Sequence, residues 1–233
     1  MAEKSYIVKS RRYFDQENIV EKVDKKVANL IVFEGAIDRT LLQQIIAFFI
    51  NKYKSENHKV AIINQPVLPQ KVHDQMKNPL NYFVTMCRLT GEWYDEKVKP
   101  ALDKGNLVLL DHYYHRYLTN AMVMEIQRAQ QKMQKQMEKL EQRGEPMPEQ
   151  MPPLEVDSRL IVELQEQYTD AVPEPDVLFA CFDDSDMQSA FIKKAFNSLF
   201  STESYIYPIN TFYGLKNIVK EMEVRLNEYK IGG

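Results

Sequence analysis

The chain has 233 residues, of which 44% are hydrophobic and 27% are charged, and its formal net charge is −3. This length suits one α/β domain with a full core and room for an insertion. The weak negative charge excludes a global attraction to nucleic acid or to an anionic membrane. No apolar signal core follows Met1, and no run of about 18 apolar residues occurs, so we expect a cytoplasmic protein without a membrane segment.

The two cysteines, Cys87 and Cys181, both lie in apolar surroundings. They lack C-x-x-C spacing, which would indicate a redox or metal-binding motif. We therefore expect two buried, reduced and unreactive thiols, as is typical of a reducing compartment.

Short apolar runs alternate along the chain with stretches of helical periodicity. Residues 1–26 are polar and are predicted to form an N-terminal extension. The predicted strands are 27–33, 60–63, 107–110, 177–182 and 205–209, and the predicted helices include 40–53, about 80–102 and 215–229. This alternation predicts an α/β fold, with a parallel five-stranded sheet and helices on both faces.

Polar residues follow four of the predicted strands. They are the pairs Glu34-Gly35, Gln65-Pro66, Asp111-His112 and Asp183-Asp184. Ligands of parallel sheets bind at the carboxyl ends of the strands, so these pairs mark the expected site.

Residues 118–156 differ from the rest of the chain. Apolar residues recur there at steps of three or four on a background of Gln, Lys, Glu and Arg, namely Met122, Ile126, Ala129, Met133, Met137 and Leu140. A second helix is predicted near 157–168, so we expect an inserted helical hairpin that projects from a core domain of residues 27–117 and 157–230. The stripe either packs on its own return segment or forms a surface for a homodimer or protein partner, because Met-rich seams suit adaptable contacts.

The segment after the first strand has the strand–loop–helix order in which G-x-x-x-x-G-K-[ST] loops bind phosphate. Counted from Gly35 without a gap, Leu41 falls on the lysine position. If two loop residues are deleted, Arg39 takes the lysine position, Thr40 takes the hydroxyl position and Asp38 replaces the second glycine. The segment is either an altered working loop or a relic with surface roles.

Several further motifs occur in a recognisable order. They are the strand and turn at 31–35, Asn64-Gln65-Pro66, Lys99-Pro100-Ala101-Leu102, the stretch from Leu107 to Tyr113, and Pro175-Asp176-Val177. Together they resemble thymidylate kinases, a P-loop family that phosphorylates thymidine monophosphate (dTMP) with ATP and magnesium. The resemblance spans about residues 27–230 apart from the hairpin, and it implies a P-loop kinase-like fold.

The resemblance also implies roles for individual residues. Phosphate binding would use Gly35, Asp38, Arg39 and Thr40, and catalysis would use Arg39 and Asp111. Magnesium would bind at Thr40 and Asp111, and the substrate would contact Gln65, Phe83, Arg88, His112 and Tyr113. The departures from the family pattern are the missing loop glycine and lysine, the neutral Asn64 and Gln65, and His112 in place of the arginine of the D-R-Y motif.

Two other site types share some of these residues. Polyphosphate kinases share an F-E-G strand and a D-R motif followed by aromatics, but they also need the glycine–lysine loop. His112, His115 and Asp111 could suggest a metal cluster, but no further ligands follow at the spacing typical of zinc sites. We expect no zinc site and no nucleic-acid partner.

Three hypotheses follow. The favoured one is an impaired or inactive thymidylate kinase-like protein, a pseudoenzyme retained for nucleotide binding or protein assembly. The second is an active nucleoside monophosphate kinase with an atypical loop that uses Arg39, Thr40, Arg88 and Asp111, with ATP and magnesium as cofactors. The third is a structural subunit that contacts partners through residues 118–156.

Overall fold

The computed structural model of the protein describes residues 4–8, 20–66, 68, 79–144, 146, 148, 153–156 and 159–232. The strands are β1 (Lys4–Val8), β2 (Val20–Asp24), β3 (Val27–Ala28), β4 (Leu30–Ala36), β5 (Val60–Asn64), β6 (Leu107–Asp111), β7 (Val177–Phe182), β8 (Ile206–Asn210) and β9 (Lys230–Ile231). The helices are α1 (Arg39–Ser55), α2 (Pro79–Trp93), α3 (Lys99–Asp103), α4 (Tyr114–Gln142), α5 (Arg159–Ala171), α6 (Met187–Phe200) and α7 (Leu215–Leu226). A π-helical turn at Tyr94–Val98 joins α2 to α3, and a short 3-10 turn covers Thr211–Tyr213.

The central sheet has five parallel strands in the order β5-β6-β4-β7-β8. The predicted parallel sheet with helices on both faces is therefore confirmed. β7 is buried over its whole length, and β6 is buried except at Asp111. Strands covered on both faces read as continuous apolar runs, which is why these segments could be recognised in the sequence.

Alternate residues of β4 face two separate parts of the core. Ile31 and Phe33 pack with α1 and α7, whereas Leu30 and Val32 pack with α2, α4, α5 and α6. Asp176 holds the start of the strand, because its Oδ2 accepts hydrogen bonds from the backbone N–H groups of Asn29 at 2.7 Å and Leu30 at 2.9 Å.

β4 extends beyond the predicted end at Phe33. Gly35 and Ala36 pair with Cys181 and Phe182 of β7. The turn predicted at Glu34-Gly35 therefore lies later in the chain, at residues 37 and 38. Both cysteines are free and buried, as expected.

The N-terminal extension is described only in part. β1 and β2 form an antiparallel pair, and β3 pairs with β9 near the end of the chain. Residues 1–3 and 9–19 lie outside the described residues.

The long helix α4 begins at Tyr114, before the predicted boundary at 118. Its buried residues end at Ala129, and beyond that point only the narrow stripe of Met133, Met137 and Leu140 is half-buried. Residues 153–156 have no regular secondary structure, and a cavity of about 240 Å³ separates Pro153 and Leu154 from Lys132 and Met133. The next helix, α5, packs against α2 and α4. The domain boundaries and the partner surface stay predictions.

In the described part of the chain, no helix is both long enough and apolar enough to cross a membrane.

Candidate ligand-binding site

A cavity of about 340 Å³ lies at the carboxyl ends of β4 and β7, between α4 and α6. Its lining residues are Glu34, Gly35, Ala36, Ile37, His112, Arg116, Thr119, Asn120, Phe182, Asp186, Gln188, Ser189, Ile192 and Phe196. This is the edge of a parallel sheet at which ligands bind, so it is the candidate site.

Glu34 is a buried carboxylate at the base of the cavity, with 1% of its surface exposed. Its Oε1 accepts hydrogen bonds from the backbone N–H of Tyr113 and, at 3.3 Å, from that of Arg116. These donors lie at the start of α4, whose N-cap residue Tyr113 makes no capping hydrogen bond through its own side chain. Glu34 therefore caps α4 from another strand, where the helix dipole favours a negative charge.

His112 lies between β6 and α4 and has a left-handed backbone, with φ of 82°. Its Nδ1 lies 3.2 Å from Glu34 Oε2, and its backbone N–H donates to Phe33 O at 2.9 Å. The carboxylate partner requires a proton on Nδ1, so in the neutral ring Nε2 is an acceptor. Within the described residues Nε2 makes no hydrogen bond, and it is not sealed from solvent.

Arg116 is the one cationic side chain among the described residues that line the cavity. It lies in the first turn of α4 and is exposed, and no carboxylate in the described part of the chain forms an ion pair with it. Arg116 is not among the residues predicted from the sequence, because the resemblance directs attention to position 112. A signal was available, since Arg116 follows the end of the third predicted strand by only a few residues.

Other polar groups of the lining already have partners. Asp186 Oδ2 accepts from the backbone N–H of Ser189 at 2.7 Å and caps α6. Ser189 Oγ accepts from the backbone N–H of Asp183 at 2.8 Å, and Thr119 Oγ1 donates to His115 O at 2.8 Å. Asn120 and Gln188 are exposed, so their amides remain available to a ligand.

The predicted phosphate loop is a two-residue connection, Ile37-Asp38, between β4 and α1. Asp38 Oδ1 accepts a hydrogen bond from the backbone N–H of Leu41 at 2.9 Å and caps α1. Arg39 and Thr40 form the exposed first turn of α1 and do not line the cavity.

Gly35 has a steric reason to be glycine. Its φ is +118°, and a Cβ built there would lie 2.0 Å from the carbonyl oxygen of Cys181 on β7. A side chain at this position would push the paired strands β4 and β7 apart.

The remaining predicted residues lie outside the cavity lining. Asp111, at the end of β6, is half-buried, and its Oδ1 is enclosed without a hydrogen-bond partner in the described residues. Phe83 is buried in the core and Gln65 is half-buried after β5. Arg88 is exposed and lies 3.8 Å from Glu92, and the Tyr113 hydroxyl donates to Pro173 O at 3.0 Å.

Of the predicted site residues, Gly35 and His112 are the two that the structure brings into the cavity lining.

No group of three or more potential His, Cys, Asp or Glu ligands for a metal occurs within the residues that the structure describes.

No protein-family model matches the sequence, and no curated protein matches it. Among solved structures, the chain is similar to the thymidylate kinase from Ehrlichia chaffeensis, with 13% sequence identity and a TM-score of 0.55. The match covers 87% of this chain and 99% of that chain. At this identity the similarity establishes the fold, which is a P-loop kinase-like α/β fold like that of thymidylate kinase.

Proposed function

We propose that the protein is a thymidylate kinase-like pseudoenzyme, retained for nucleotide binding or for protein assembly. The observation that carries this proposal is the connection between β4 and α1. It has two residues, and the carboxylate of Asp38 occupies the N-terminus of the helix that follows.

A phosphate-binding loop needs free backbone N–H groups and a cation at the start of this helix. Asp38 accepts one of these N–H groups and places a negative charge where the phosphates of ATP would lie. The residues at the start of α1 therefore do not fit a nucleoside triphosphate with magnesium. We assign no catalytic step to ATP or magnesium in this protein.

Phosphoryl transfer also depends on several cations, because negative charge spreads over the transferred oxygens. A single arginine can accelerate such a transfer by a factor of about 10³–10⁵. The cavity is lined by one arginine, Arg116, which supports binding of a ligand more than transfer of a phosphoryl group.

The alternative of an active nucleoside monophosphate kinase depends on Arg39, Thr40, Arg88 and Asp111. These four residues do not share the cavity lining, and Arg88 lies beside Glu92 on the outer side of α2. This arrangement supports the pseudoenzyme over the active kinase.

Calorimetry with ATP, ADP and dTMP, followed by a phosphoryl-transfer assay with magnesium, tests the proposal. We expect no turnover, and binding of dTMP without turnover would favour the nucleotide-binding role. Turnover that disappears in Arg39→Ala, but persists in Lys54→Ala at the other end of α1, would overturn the proposal. Lys54 is a suitable control because it is an exposed cation on the same helix.

The assembly role is proposed to use the distal part of α4 and its return segment. Removing residues 127–153 and measuring the mass in solution tests this role. If the full chain and the shortened chain are both monomers in solution, the segment does not form a homodimer.

A further inference from the structure

The lining of the cavity combines apolar and polar side chains. Phe182, Ile192 and Phe196 are apolar, whereas Arg116, Asn120 and Gln188 are polar. At about 340 Å³ the cavity is at the small end of the range for ligand pockets. Its size and its mixed lining suit a compact amphiphilic molecule.

The polar part of the lining carries the positive charge of Arg116, which forms no ion pair with a carboxylate of the described residues. The carboxylate of Glu34 is committed to His112 and to the N-terminus of α4, and that of Asp186 is committed to the cap of α6. Arg116 has no ion-pair partner within the described residues. A guanidinium donates two parallel hydrogen bonds to two oxygens of a carboxylate or a phosphomonoester. One arginine therefore suits a ligand with one such anionic group.

The pair of Glu34 and His112 adds a hydrogen-bond acceptor. His112 holds a left-handed backbone that a non-glycine residue rarely adopts, and such conformations cluster at functional sites. The buried Glu34 fixes the ring through Nδ1, so that Nε2 remains an unpartnered acceptor at the edge of the cavity. A hydroxyl or amide on the ligand can donate to it.

We propose that this cavity binds a small organic anion with one carboxylate or phosphomonoester on Arg116, an apolar body against Phe182 and Phe196, and a donor group on His112 Nε2. Asp38, Arg39 and Thr40 do not line this cavity, so the proposal does not depend on whether a triphosphate binds at the start of α1. A carboxylate and a phosphomonoester can both bind Arg116, and the experiment below distinguishes between these two groups.

Calorimetric titration with benzoate, 3-hydroxybenzoate and phenyl phosphate, with inorganic phosphate as the head group alone, measures the binding. We expect the ring-bearing anions to bind more tightly than inorganic phosphate, and the comparison of benzoate with phenyl phosphate identifies the preferred head. Arg116→Gln should weaken binding about tenfold or more, because it removes a charge-assisted hydrogen bond. Arg225→Gln, which changes an exposed arginine on α7 that does not line the cavity, should leave binding unchanged.

The donor contact is tested with His112→Asn, because asparagine tolerates the left-handed backbone. This variant should reduce the preference for 3-hydroxybenzoate over benzoate. Methyl NMR locates the ligand, since the methyl signals of Ile37 and Ile192 should shift, whereas that of Ile218, in the core on the other face of the sheet, should not.

Three results would overturn the proposal. The first is absence of binding by every probe up to the millimolar range. The second is equal weakening by Arg116→Gln and Arg225→Gln. The third is a shift of the Ile218 signal without a shift of the Ile192 signal. None of these probes contains a nucleoside, so failure here is distinguishable from failure of the pseudoenzyme proposal, which the phosphoryl-transfer assay decides.

Discussion

Adding one methyl group at Gly35 tests why the chain has a glycine at the end of β4. If the residue serves phosphate binding, Gly35→Ala should affect ligand affinity and leave the sheet intact. If the residue is required by strand packing, the substitution should destabilise the whole protein. The structure predicts the second result, because the added Cβ would lie 2.0 Å from the Cys181 carbonyl oxygen, a backbone atom that cannot turn aside.

The magnitude follows from two costs. Holding alanine at φ of +118° costs about 1–3 kcal/mol, as is typical of sparsely populated backbone conformations. Moving β7 away to relieve the contact weakens the pairing at Gly35 and Ala36, and two weakened hydrogen bonds cost about 1–3 kcal/mol. We therefore expect a loss of about 4 kcal/mol, which is a large part of the 5–15 kcal/mol of a typical domain.

Gly105→Ala is the matched control. Gly105 also has a positive φ, of +74°, but a Cβ there would meet no atom within 4 Å. Its substitution should cost about 1–2 kcal/mol from backbone strain alone. The measurement is urea unfolding followed by circular dichroism and by the fluorescence of Trp93, the single tryptophan. If Gly35→Ala loses no more stability than Gly105→Ala, the steric explanation is wrong.

Three further predictions concern caps and buried titratable groups. Asp38→Ala removes the cap of α1 and should lower the free energy of unfolding by about 1 kcal/mol, and an unchanged urea midpoint would contradict the capping role. Burial lowers the pKa of His115 to about 3 from its ordinary value of 6.5, so below pH 6.5 the unfolded chain binds a proton that the folded chain does not. Stability should therefore fall with acid, by up to about 1.4 kcal/mol per pH unit between these two values, and His115→Phe should remove this contribution to the slope. Burial raises the pKa of the Cys87 thiol to about 11, and it also raises the pKa of Cys181, so both thiols are protonated near neutral pH. An aromatic disulfide reagent should modify them only as fast as the protein unfolds, and rapid modification of the native protein would refute this.

Much of the fold could be predicted because its signals are local. The apolar runs of β6 and β7 identify buried strands by themselves, and that of β5 identifies a strand, although β5 is a half-exposed edge strand. The periodicity of 40–53 identifies α1, which spans Arg39–Ser55. The predicted end of the helical stretch near residue 102 is also confirmed, since α3 ends at Asp103 and Gly105 adopts a positive φ. Each of these features depends on residues adjacent in the chain.

The candidate site was harder to predict because its residues come from three distant stretches of the chain, 34–37, 112–120 and 182–196. The sequence alone suggests a turn at Glu34, whereas the structure makes Glu34 the cap of α4 and the partner of His112. The predicted phosphate-binding residues Arg39 and Thr40 face solvent, and Arg116, which was not predicted, lines the cavity.

The sequence by itself determined the alternation of strands and helices, and with it the sheet edge at which a ligand site must lie. Tertiary structure decided which side chains share that edge and why Gly35 is a glycine. The physical reason is that periodicity reports only on a residue's own strand or helix. Cavities, caps and close backbone contacts depend on segments that are distant in the chain and meet only when the sheet is assembled.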